Sequence, residues 1–122
     1  MILKTIYFTL FFLLNVNASD LETQKVNFLL DQVEKSDVIF LRNGSEHSPK
    51  KARAHLKFKY EKAKGFFFVS SEITAQQFID NIASQSSTTG EKYYVILKNG
   101  KKIPTKQWLD EKLKSFAPPK SP

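Results

Sequence analysis

The 122-residue chain contains no cysteine, which excludes disulfides, a thiol nucleophile and thiolate metal ligands. Its stability must therefore come from packing and hydrogen bonds, for which eleven Phe, four Tyr and one Trp supply material. Histidine is nearly as scarce: His47 and His55 are the only two. They lack the i, i+4 spacing of zinc-binding helices and a third ligand beside them, so neither a metal nor a cofactor is expected. Long apolar runs are also missing. The longest, Ile6 to Leu14, has nine residues, less than half of the roughly 20 that a membrane-spanning helix needs.

What that run does carry is the pattern of an export leader. Lys4 supplies a positive start, and Asn15, Val16, Asn17 and Ala18 end the apolar stretch with small residues at the cleavage positions. Residues 1–18 thus read as a signal peptide, residues 19–116 as one domain, and the proline-rich residues 117–122 as a disordered tail. The expected compartment is the periplasm or the exterior, with no transmembrane segment once the leader is removed.

Lys and Arg number 19 against 12 Asp and Glu, a net charge of +7, or +6 without Lys4. Such a charge favours an anionic envelope component or an acidic protein partner. The region around the second expected helix holds Lys50, Lys51, Arg53, Lys57, Lys59, Lys62 and Lys64 against Glu61 alone. It is either a solvated face or a surface that adheres to anionic lipid. The export signal argues against nucleic acid, and Phe58 is the one aromatic beside that charge to stack a base.

Periodicity predicts the elements. Ser19 to Glu22 form a capping-box start, and Val26, Leu29, Leu30 and Val33 then recur at helical spacing to Lys35. Val38 to Leu41 reads as a short strand that enters a turn at Arg42, Asn43 and Gly44. Ser48 and Pro49 open a second helix, with Ala52, Leu56, Tyr60 and Ala63 on its buried arc. Phe66 to Val69 is an apolar patch. Thr74 with Gln77 caps a third helix carrying Phe78, Ile79, Ile82 and Ala83; the polar segment Ser84 to Gly90 follows. Tyr93 to Leu97 and Lys101 to Ile103 form a hairpin about Asn99-Gly100, with Ile96 expected opposite Ile103. Thr105 is expected to cap a last helix bearing Trp108, Leu109, Leu113 and Phe116. The fold class is α+β: a single small domain of about four helices packed on a small sheet that includes a C-terminal hairpin.

Polar residues gather in two turn regions. Arg42, Asn43, His47 and His55 surround the start of the second helix, and Ser86, Ser87 and Tyr93 lie in or after the polar segment. They are the candidate binding residues. Ser86 or Ser87 as nucleophile with His55 as base makes a hydrolase the alternative, with Ser87 and His55 the catalytic candidates. That alternative lacks the G-x-S-x-G turn and an acid to orient the imidazole. The plainer account is a structural network: Asn-Gly makes a turn, and serines bond their own backbone.

The order Phe40-Leu-Arg-Asn-Gly44, Ala52 with His55-Leu56 and Lys59, Thr74-Ala75 with Phe78-Ile79, Ala83-Ser84 with Ser86-Ser87, then Gly90, Tyr93, Trp108-Leu109 and Leu113 resembles the YfeK-like family of small exported bacterial proteins. The resemblance covers nearly the whole chain after residue 18. It implies an exported single domain of unknown function in which Arg42, Asn43, His55, Ser86, Ser87 and Tyr93 belong to one design. Two departures accompany it. Gln76 stands where the family pattern has Glu, which removes a potential catalytic acid, and Gly65 to Ser71 is longer and more aromatic.

Overall fold

The computed structural model describes residues 18–66 and 73–118. The expected leader, apart from Ala18, and most of the apolar patch from Phe67 onward lie outside them, as do residues 119–122.

Helix α1 (Ala18–Lys35) buries Val26, Leu29, Leu30 and Val33, the stripe its spacing predicts. Glu22 reaches a partner outside its own helix. Its Oε1 accepts the backbone N–H of Ala75 at 2.8 Å and its Oε2 meets Lys25 at 3.0 Å. Strand β1 (Ile39–Arg42) then turns back into β2 (Ser45–His47). Asn43 at φ 51 and Gly44 at φ 77 form the tip, the paired positive φ of a two-residue hairpin turn, which Asn-Gly tolerates best. Strand β2 was not foreseen because Ser-Glu-His has no apolar alternation to announce it.

Helix α2 (Pro49–Phe66) starts at the expected proline and packs along α1. Ala52, Leu56 and Tyr60 are buried, and Arg53 reaches Asp31 at 3.8 Å and Glu34 at 3.7 Å. Helix α3 begins as one α-helical turn, Ala75–Gln77, under the predicted Thr74–Gln77 capping box. It widens into π-helical hydrogen bonding over Phe78–Ala83, and the Ser84 hydroxyl donates to the carbonyl of Ile79. Strands β3 (Tyr94–Ile96) and β4 (Lys102–Pro104) lead into α4 (Thr105–Lys114).

The sheet is antiparallel with order β2-β1-β3-β4. Its register pairs Phe40 with Val95 and Val95 with Ile103, so three buried residues form one row facing the helices. Phe40 meets Trp108 of α4 edge to face at 5.7 Å between ring centres. The expected Ile96–Ile103 pair is thus displaced by one residue: Ile96 pairs with Lys102. The connection has three residues, Lys98 to Gly100, with Gly100 at φ 89 and the Asn99 side chain accepting from Lys101 N–H. A third loop residue changes which side chains face inward. Thr105 is not a cap either; Pro104 precedes the first turn and the Thr105 N–H donates to Tyr93 at 3.0 Å.

A cationic cleft between helix α2 and the hairpin tip

Period-two alternation explains why Arg42 belongs to the site. Arg42 lies two residues beyond Phe40 on the helix-covered face of β1, past the end of the apolar row. Tyr93, just before β3, occupies the matching position two residues ahead of Val95. From α2, His55, Lys59 and Lys62 follow at i, i+4 and i+7, along the border of the buried arc. These groups line an open cleft of about 800 Å³. The 84–90 loop adds Ser86, Ser87 and Thr88, α3 adds Gln77, Asn81 and Ile82, and Phe58, 65% exposed, stands at the edge.

Six of the seven predicted binding residues come together here: Arg42, Asn43, His55, Ser86, Ser87 and Tyr93. The seventh, His47, sits behind them. It lines a cavity of about 30 Å³ with Arg42, His55, Tyr93 and Thr105, and its Nε2 is 3.4 Å from Arg42 Nη2. Buried His55 Nε2 and Thr105 Oγ1 have no hydrogen-bond partner among the described residues. Both residues line this cavity, whose volume matches one water molecule's share of the liquid, about 30 Å³.

Lys59 is the cleft residue that sequence reasoning left on the solvated face. Its Nζ donates to the Gln85 carbonyl at 2.7 Å and lies 3.4 Å from the Tyr93 hydroxyl. The i, i+4, i+7 series from His55 was the available signal; the surrounding run of lysines concealed it.

The charges that line the cleft among the described residues have one sign. Among the described residues, no carboxylate lines it and none pairs with Arg42, Lys59 or Lys62. Burial, then the charge of Arg42, pushes Lys59 down to about 8. Burial, then Arg42 and Lys59, pushes His55 down to about 4, so its imidazole is neutral at pH 7. His47 is lowered by burial, Arg42 and Lys51. Burial raises the Tyr93 phenol, with Arg42 opposing, so that hydroxyl keeps its proton.

The two serines differ. Ser86 is buried, and its hydroxyl accepts from the N–H groups of Thr88 and Thr89 at 3.3 Å each, inside its own loop. Ser87 is exposed at the rim. No hydrogen bond joins either serine to His55 among the described residues. Nor, among the described residues, do three His, Asp or Glu side chains gather there as a metal site would require. Gln76 lies outside the cleft, donating to Asp80 and Asp110 at 3.1 Å each. A glutamate there would face two carboxylates rather than a ligand.

Residues 20–117 match the family described as a family of unknown function, DUF5329. The chain belongs to DUF5329. Within that setting it is 39% identical, over 80 residues, to the uncharacterized protein YfeK of Salmonella typhimurium. That match covers 65% of this chain and 61% of the relative, so the chain spans about three fifths of the length of the relative it matches. The YfeK-like resemblance of the motifs is therefore the family relationship found. No solved structure matches the chain. The DUF5329 match runs from α1 to just past α4 and so contains every described residue of the cleft. Among the described residues no helix is long and apolar enough to cross a membrane.

Proposed function

We propose that this DUF5329 protein is an exported, non-enzymatic binding module whose cleft takes a ligand bearing a phosphate or carboxylate group. The observation that carries this reading is the convergence of Arg42, Lys59 and Lys62 on one cleft to which no described carboxylate contributes. Like charges held together in a partly buried site repel, and a bound anion relieves that repulsion. Arg42 offers a planar fork suited to either acid group. Asn81, Gln77 and the Ser87 hydroxyl can satisfy further oxygens, and Phe58 offers an apolar wall. Hydrolysis through Ser87 and His55 has less support, because an imidazole held near 4 is a weak base at neutral pH.

Titration with inorganic phosphate and with acetate at low salt, followed by NMR, tests the reading. Saturable shifts at Arg42, Tyr93 and Ser87 are expected, weakening as salt rises. Arg42→Ala should lower the affinity about tenfold, or 1.4 kcal/mol. Shifts spread evenly over the lysine-rich surface would refute a built site.

Export through residues 1–18 belongs to the same proposal, supported by the charge, apolar run and small residues of that segment. N-terminal sequencing of protein recovered from its native host should begin at Ser19. Recovery of the intact Met1 form from the cytosol would sink that part.

A further inference from the structure

We propose that Lys59 captures the carbonyl group of an anionic aldehyde or 2-oxo acid as an imine, with Arg42 holding the acid group. The inference rests on the anion-binding reading of the cleft and adds a covalent step to it.

An amine attacks a carbonyl only through a free lone pair, so the surroundings of each lysine decide its reactivity. Lys25, Lys64, Lys98 and Lys106 each lie within 4.0 Å of a carboxylate. Lys59 instead meets a carbonyl oxygen and a phenol, within a cleft whose other described charges are positive. With its value lowered to about 8, about a tenth of Lys59 is neutral at pH 7, against fewer than about one in a thousand for an ordinary lysine. Half-burial keeps the amine out of bulk water, while the cleft leaves it open to a ligand.

The step balances without an oxidant or reductant. The Lys59 lone pair bonds to the carbonyl carbon as the C=O electron pair moves onto oxygen, and one proton passes from nitrogen to that oxygen. The resulting carbinolamine takes a proton on its hydroxyl, the C–O bond breaks, water leaves and nitrogen completes the C=N bond. The sum is amine plus carbonyl plus one proton from solvent giving the protonated imine plus water. The Tyr93 hydroxyl, 3.4 Å from Nζ and holding its proton, is placed to donate to the carbonyl oxygen. A protonated imine beside Arg42 would suffer the repulsion that already acts on Lys59. A ligand that brings its own negative charge cancels it, so anionic carbonyls are selected over neutral ones.

The test treats the folded protein with glyoxylate or, separately, neutral propanal, in the presence of cyanoborohydride to fix any imine. Modification at each lysine is then followed by peptide mass spectrometry. With glyoxylate, Lys59 should react at least about tenfold faster than exposed Lys57 and Lys98, as its larger neutral fraction dictates. Its rate should rise through pH 8, fall on addition of inorganic phosphate, and show a smaller preference over surface lysines when propanal replaces glyoxylate. Lys59→Arg, which keeps the charge, should abolish the fast component. Equal rates at Lys59 and the surface lysines, or equal preference with propanal, would overturn the proposal. Phosphate shifts measured on the same sample separate the two readings: binding without fast Lys59 modification defeats only the covalent step, and neither defeats both.

Discussion

Glu22 of α1 and Ala75 of α3 are joined by a carboxylate-to-amide hydrogen bond of 2.8 Å, which ties the first helix to the element that walls the cleft. That bond, more than the Lys25 contact, lowers the Glu22 pKa below its ordinary 4.5. The unfolded chain therefore takes up a proton before the folded one does. The stabilisation is complete above about 4.5 and is lost as pH falls through the lowered folded value. Glu22→Gln should lower stability by about 1–2 kcal/mol at pH 7 and flatten the acid limb of the stability curve, measured by urea unfolding at a series of pH values.

His55 gives a pH dependence of the same sign, here from a base held neutral. Its folded value of about 4 lies below the ordinary 6.5, so the unfolded state binds the extra proton between those limits. Stability should decline as pH falls from 6.5 to about 4 and receive no further change from this residue below that. The His55 ring resonances should show no titration above pH 5 in an NMR series, and His55→Gln should remove its share of the slope. An imidazole midpoint near 6.5 would contradict the burial and charge described for it.

The C-terminal hairpin register can be checked by two neighbouring substitutions. Val95 is fully buried and Ile96 is half-buried. Val95→Asp should prevent folding, at a cost above about 4 kcal/mol for an unpaired buried charge. Ile96→Lys should cost less than about 1 kcal/mol, near the range for surface changes. The reverse order of losses, in thermal unfolding followed by circular dichroism, would favour the two-residue loop instead.

Ser86 and Ser87 should separate in the same way. Ser86→Ala leaves the Thr88 and Thr89 N–H groups without their acceptor and should cost about 1–2 kcal/mol. Ser87→Ala should stay within about 0.5 kcal/mol, with its effect confined to ligand affinity. A loss above about 2 kcal/mol at Ser87 would make it part of a structural network.

Helices were legible where burial repeats at three and four residues. Val26, Leu29, Leu30 and Val33 announce α1 because one face alone meets the core. Hairpin detail was less legible: Asn-Gly occurs at both tips, yet Asn43-Gly44 forms a two-residue turn whereas Gly100 is the last residue of a three-residue loop. The same dipeptide serves both, and the choice falls to the packing of Val95 and Ile103. Six cleft residues were visible as polar groups in turns. Lys59 was not, because what distinguishes it is the company of Arg42 and Tyr93, 17 and 34 positions away in the chain.

The hairpin tip has one more consequence. Asn43 borders the cleft, yet its backbone is set by pairing of the flanking strands and by tolerance of a left-handed φ. Aspartate tolerates the same conformation, so exchange at this position would offset one of the cleft's positive charges while the scaffold stays as it is. Relatives built on this frame therefore have a single-residue route to a different ligand preference, one that leaves the apolar interior out of the change.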